Sequence, residues 1–146
     1  MPQLKRSFPI KARDFIRAGE ASINVQNLLK SMDFEPRLIR RIAICGYESE
    51  MNVVMHGGDG KLSIELDSDR LILEVKDDGP GIEDIELAMQ AGYSTANDDH
   101  REMGFGAGMG LPNMKKNSDR IHIESLKNNG TIVRMIFFIP DKGKID

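Results

Sequence analysis

One cysteine, Cys45, is the whole thiol content of the chain, so no internal disulfide can form. No Cys/His cluster has the spacing of a zinc site. Nowhere do eighteen apolar residues run together, and the opening MPQLKRSFPIKARD lacks the seven-residue apolar centre of a secretory signal. No long Lys/Arg run is present, and 20 basic residues against 23 acidic ones leave a formal charge of −3. That balance argues against a broad nucleic-acid footprint, although a local basic patch is compatible with it. The GK[ST] ending of a P-loop is missing, as are internal repeats and Pro/Ser-rich linkers. What remains is 146 residues, 40% hydrophobic and 29% charged. A chain of this size buries roughly 68–70% of its unfolded surface in one core. The expectation is a single soluble, cytoplasmic domain over residues 1–146, with no membrane segment.

Periodicity outlines the elements. Gln3 to Ile10 reads as an edge strand with Pro9 marking its end. From Ala12 to about Met32, Phe15, Ile16, Ile23, Leu28 and Leu29 suit one amphipathic helix that passes through Gly19. A second helix starts near Pro36 and stops at Gly57-Gly58, with Leu38, Ile42, Cys45, Ser49 and Val53 on its core face. Ile44, Tyr47, Met51 and Met55 form another apolar side, either core or interface. The runs KLSIELD and RLILEVKD alternate as a half-buried hairpin around Ser68-Asp69. A short helix over IEDIELAMQ and another from Leu111 to Asn117 follow. RIHIESL and TIVRMIFFI are closing strands joined at Asn128-Asn129-Gly130. Strands surrounding a run of helices predict an α+β fold, a two-layer sandwich of a mixed sheet with helices on one face.

Three features carry chemistry. Glu48, Asn52 and His56 follow each other at four-residue steps, so they stack along one edge of the second helix. A carboxylate beside an amide oxygen could there hold Mg²⁺ and receive a proton; taken alone, a solvated helix edge explains the pattern as well. Asp77-Asp78-Gly79-Pro80-Gly81-Ile82 leaves the end of a strand. Such an aspartate can accept from an exocyclic amine, with glycines letting backbone pass close to a flat ring; alone, the segment is also a good turn. Gly104, Gly106, Gly108 and Gly110 alternate ahead of a helix, so backbone N–H groups can converge on an anion there. The spacing is not that of a dinucleotide fingerprint, because the third glycine of G-x-G-x-x-G falls on Met109 or Leu111. A hinge is the competing reading.

In order the chain reads E-x₃-N-x₃-H, D-x-G-x-G-I, G-x-G-x-G-L and then Gly130-Thr131 entering a strand. This resembles the GHKL superfamily of ATP-binding domains, with the Bergerat nucleotide fold, over about Gln3 to Pro140. DDGPGIEDIELAMQAGYST followed by GMGLP most resembles the bacterial anti-sigma-factor and serine-protein-kinase branch, closest to the small switch serine kinases of the stressosome. The resemblance implies Glu48 as general base and Asn52 as Mg²⁺ ligand. It implies that Asp77 reads adenine, with Gly79, Gly81 and Ile82 beneath the base. Gly106, Ala107, Gly108, Met109, Gly110 and Leu111 would form the triphosphate loop, and Thr131 would stand near the adenine edge. His56 matches a position where relatives often carry histidine, and Ala91 to Phe105 would be a lid over nucleotide. The run LPNMKKNSDRIHIES departs from the branch's usual pattern after GLP, which leaves the partner open.

The implied activity is transfer of the γ-phosphate of ATP, with Mg²⁺, to a serine or threonine of a regulatory protein, a STAS-type antagonist. Two alternatives stand beside it. One is an anti-sigma factor or switch module that sequesters a partner such as a sigma factor, with nucleotide as a structural ligand. The other is a detached histidine-kinase catalytic domain, whose usual phospho-accepting helical hairpin finds little room ahead of Pro36. ATP or ADP and a protein partner are the expected ligands, a homodimer is compatible with the sequence, and nucleic acid is not expected.

Overall fold

Alternation at period two puts Leu62, Ile64 and Leu66 on one side of a strand, and Leu71, Leu73 and Val75 on the same side of the next. In the computed structural model these six residues are buried, and the hairpin closes where the Asp67 N–H donates to the Arg70 carbonyl at 2.9 Å. The structure describes residues 4–56, 58–81, 110–125 and 129–140. The elements are β1 (Leu4–Ile10), α1 (Glu20–Ser31), α2 (Pro36–His56), β2 (Gly60–Leu66), β3 (Arg70–Asp77), α3 (Gly110–Asn117), β4 (Arg120–Ser125) and β5 (Thr131–Phe138). The five strands form one sheet in the order β1-β2-β3-β5-β4. β1 is indeed at an edge, where the missing N–H of Pro9 is tolerated.

The sandwich of sheet and helices is as expected, but the sheet is not mixed. Every pairing among the described strands is antiparallel. The reason is topological. β3 and β4 run in the same direction, yet β5 inserts between them and pairs antiparallel with both. The core lies between one face of the sheet and the helices, where Phe137, Leu29, Ile42 and Met114 are completely buried. The opposite face carries cross-strand ion pairs, Lys5 to Glu65 at 3.3 Å and Arg134 to Glu74 at 3.0 Å.

α2 begins and ends where Pro36 and the following glycines predict. Leu38, Ile42, Cys45, Ser49 and Val53 are all buried along it. On its second apolar side Met51 and Met55 are buried, Ile44 is half-buried and Tyr47 is exposed. The first helix differs from expectation. It starts at Glu20, not Ala12, because Gly19 adopts a left-handed backbone (φ 99°) and stands at the helix cap rather than in its interior. Ile16 therefore lies ahead of the helix, 96% exposed, and Val25 and Leu29 supply the buried stripe with Ala21. The expected helix over IEDIELAMQ falls outside the described residues. No helix among the described residues is long and apolar enough to cross a membrane.

Candidate functional site

At the end of the sheet beneath the C-terminal end of α2, four strands contribute one residue each to a continuous row. Asp77 of β3 is registered with Gly60 of β2 on one side and with Thr131 of β5 on the other, and Thr131 is registered with Ser125 of β4. The row is tight. A Cβ on Gly60 would run into the Lys76 carbonyl oxygen, and one on Gly130, which sits at φ +82°, would run into the Asp77 carbonyl oxygen. Bare backbone on both flanks fixes the Asp77 main chain at the strand end. Thr131 is buried, and its hydroxyl shares a hydrogen bond with the Ser125 hydroxyl at 2.9 Å.

The Asp77 side chain is held by backbone. The Gly79 N–H donates to its Oδ1 at 2.8 Å, and the Gly58 N–H also donates to the carboxylate. Burial pushes the Asp77 carboxyl upward from its ordinary value and the Asp78 charge adds to this, while the Gly79 and Gly58 donors pull the other way. Neighbouring Asp78 is tied by its N–H to the Asp59 carbonyl at 3.1 Å. The result is a half-buried acceptor presented on a rigid turn, whose second oxygen can meet a flat donor-bearing ring.

A second cluster sits on the edge of α2 that faces α3. Glu48 and Asn52 stack one turn apart, and Gly110, the first residue of α3, approaches both. A Cβ on Gly110 would lie 3.3 Å from the Asn52 Oδ1 and 3.4 Å from the Glu48 Oε2. Asn113 donates from α3 to Glu48. Burial raises the Glu48 carboxyl above its ordinary 4.5, against the opposing pull of the Asn113 hydrogen bond. The seam is fastened further along, where Arg41 donates to the Asn117 carbonyl and to the Asp119 carboxylate, both at 3.0 Å. The third member of the helix-edge pattern, His56, ends α2 and is half-buried.

The structure thus brings Glu48, Asn52 and Gly110 together, with Leu111 buried behind them, and gathers Asp77, Gly79 and Thr131 at the sheet end; Gly81 follows that turn at φ +83°. Ile82, Gly106, Ala107, Gly108 and Met109, and the expected lid from Ala91 to Phe105, lie outside the described residues. Sequence reasoning missed Asn113, Gly58, Gly60 and Ser125. Asn113 was within reach, since it follows Gly110 by three residues and shares its helix face. An amide oxygen and a carboxylate aimed at one spot offer the hard oxygen donors that Mg²⁺ takes. Among the described residues no three His, Cys, Asp or Glu side chains cluster as a metal cage.

Residues 42–142 match the family model described as "Histidine kinase-, DNA gyrase B-, and HSP90-like ATPase". The "Anti-sigma F factor" of Thermoanaerobacter sp. is 36% identical over 97 residues, which cover 63% of this chain and 64% of that protein, just under two thirds of its length. The "Serine/threonine-protein kinase RsbT" of Bacillus subtilis is 31% identical over 115 residues, covering 76% of this chain and 80% of that protein. Among solved structures, the "Mycobacterial sensor histidine kinase MprB" superposes with a TM-score of 0.54 over 93% of this chain and 98% of that one. At 14% identity that likeness concerns the fold alone.

Proposed function

Because the chain belongs to the histidine kinase-, DNA gyrase B- and HSP90-like (GHKL) ATPase family, whose domain binds ATP, we propose that it is a cytoplasmic, Mg²⁺-dependent protein serine/threonine kinase. Its substrate would be a regulatory protein of the STAS-antagonist type. The observation that carries the reading is the approach of Gly110 to Glu48 and Asn52. It joins the end of the glycine-rich loop to a carboxylate whose proton affinity is already raised by burial. A raised carboxyl makes a better proton acceptor near neutral pH than an ordinary glutamate.

In this reading the Asp77 carboxylate accepts from the exocyclic amine of adenine, and Gly79, Gly81 and Ile82 lie under the ring. Gly106, Ala107, Gly108, Met109 and Gly110 would hold the phosphates through backbone N–H groups, with Leu111 buried at the start of α3 and Thr131 at the base's edge. Asn52 would hold Mg²⁺, which would neutralise charge on the phosphate oxygens. Glu48 orients the acceptor hydroxyl. As the hydroxyl oxygen bonds to the γ-phosphorus, the bond from that phosphorus to the bridging oxygen breaks, ADP departs, and the hydroxyl proton passes to Glu48. From Glu48 to His56, next to the sheet end, α2 advances about 12 Å. That separation suits a ligand with a base at one end and a terminal phosphate at the other.

The relatives named anti-sigma F factor favour a second reading, in which the chain sequesters a sigma factor and nucleotide serves as a structural ligand. Incubation with γ-labelled ATP, Mg²⁺ and the STAS-domain proteins of the same organism separates the two. Label on a serine or threonine of one of them is expected. Capture of a sigma factor with no transfer to any STAS protein would favour sequestration.

A further inference from the structure

Seen from solvent, the first half of α2 is one-sided in charge. From Pro36 to Tyr47 the helix carries Arg37, Arg40 and Arg41 and no acidic residue, in a chain whose net charge is −3. Arg41 is engaged with Asp119 and lies 5.7 Å from the centre of the Phe137 ring. Among the described residues no ion pair or side-chain hydrogen bond engages Arg37 or Arg40, and both are exposed. Arg37, Arg40, Ile44 and Tyr47 are spaced i, i+3, i+7, i+10, one stripe along the helix. Across the seam, Asn113 and Asn117 of α3 reach Glu48 and Arg41, and exposed Lys116 stands beside them on the solvent side. The stripe ends at the candidate base, because Ile44 and Glu48 are one turn apart.

We propose that Arg37, Arg40 and Lys116, with Ile44 and Tyr47, form a docking lane for a protein partner with an acidic face, and that this lane delivers the acceptor hydroxyl to Glu48. The inference rests on the kinase reading above and adds the partner's chemistry to it. A stretch of helix surface with arginines and no acidic residue is the complement of an acidic face, so the lane supplies both attraction and register. The partner's geometry follows from the helix rise. Arg40 and Arg37 precede Glu48 by eight and eleven residues, so the acidic cluster should lie about 12–16 Å from the acceptor hydroxyl. Acids directly beside the hydroxyl would meet Glu48 and be repelled. In an extended peptide that distance is about four or five residues.

The test uses fluorescent peptides with one serine and a block of aspartates starting about four residues away, matched by peptides with lysines in the block. Binding is measured by anisotropy without nucleotide, at rising salt. The aspartate peptide should bind the parent chain and weaken with salt. Arg37→Glu with Arg40→Glu should lower its affinity by about tenfold or more and confer binding of the lysine peptide. Lys116→Glu should act in the same direction. Because these residues are exposed and outside the Glu48–Gly110 contact, melting temperature and Mg-ATP affinity should not change. Equal affinity of parent and reversed chains for the aspartate peptide would overturn the proposal. So would preferential binding of a DNA oligonucleotide, or a parent dimer that becomes monomeric on reversal, since either puts another occupant on the lane. Charge-dependent peptide binding with no phosphoryl transfer to any acceptor would instead sink the kinase reading, and with it the delivery of a hydroxyl to Glu48, while the acidic partner stays on the lane.

Discussion

Glu50 and Glu48 leave α2 two residues apart, roughly 200° around its axis, toward different neighbours. Glu50 faces α1 and is 2% exposed. It accepts from the backbone N–H groups of Gly19 at 3.0 Å, Ala21 at 3.2 Å and Ser22 at 2.9 Å, and from the Ser22 hydroxyl at 2.7 Å. Gly19 has no side chain with which to cap α1, so a carboxylate from the next helix satisfies the orphan donors and meets the positive helix end. Glu48 faces α3, is only half-buried, and has Asn113 for a hydrogen-bonding side chain. One carboxylate is saturated by donors and therefore fixed. The other is desolvated more than it is satisfied, and so keeps acceptor capacity for a proton.

The widest difference should appear in turnover. Glu48→Gln preserves shape and removes the proposed proton acceptor, a role worth about 10²–10⁴-fold. Phosphoryl transfer should fall by that factor while Mg-ATP still binds. The sign of the pH effect follows from the raised carboxyl. Below its folded value Glu48 is protonated and cannot accept, so the acid limb of kcat should lie above the ordinary glutamate value of 4.5 and vanish in the Gln variant. Stability moves the other way. The ionised form is disfavoured in the fold, so Glu48 costs stability as pH rises from the unfolded value through the folded one. At neutral pH the Gln variant should melt no lower than the parent. A lower melting temperature with unchanged turnover would make Glu48 a structural residue like Glu50.

Glu50→Ala should show the reverse pattern. It leaves three backbone N–H groups and a hydroxyl without their acceptor, at a cost of about 3 kcal/mol in urea unfolding. Glu50→Gln keeps one acceptor oxygen and should cost less. Loss of transfer in a Glu50 variant that stays folded and binds Mg-ATP would break the division of labour between the two sides of α2. Asp77→Asn sharpens it from the sheet end. The amide can still accept from the Gly79 N–H but can present a donor to the amine of adenine. Nucleotide affinity should fall by about 1–3 kcal/mol in calorimetry, with little change in melting temperature without nucleotide. Unchanged affinity would remove Asp77 from the binding site.

Why one flank of α2 was legible and the other was not has a physical basis. The core stripe from Leu38 to Val53, the Pro36 start and the alternating hairpin are local patterns, written within one or two turns or strands. The helix-edge spacing of Glu48 and Asn52 is equally local, whereas their meeting with Gly110 joins distant segments and no local pattern announces it. The Glu50 cap joins residues about thirty positions apart, and nothing in EASINVQ announces it. The row of Gly60, Asp77, Thr131 and Ser125 is likewise a product of strand order, which inserts β5 between β3 and β4. The same insertion turned the expected mixed sheet into an antiparallel one.

The smallest predicted effect tests the clearest misreading. Phe15, Ile16, Ile23, Leu28 and Leu29 fit one helical face only if the helix runs through Gly19. Gly19 instead ends the preceding segment in a left-handed turn, where its N–H is held by Glu50. The rotation that would have carried Ile16 inward never develops, and Ile16 stands 96% exposed while Val25, within the true helix, is 1% exposed. An exposed apolar side chain contributes almost nothing to burial. Ile16→Ser should therefore change unfolding free energy by no more than about 0.5 kcal/mol. A loss of about 2 kcal/mol would place Ile16 in a core and restore the long helix. The Glu50 variants give the control, because releasing the cap should loosen the start of α1 in hydrogen exchange while Ile16→Ser leaves that protection as it is.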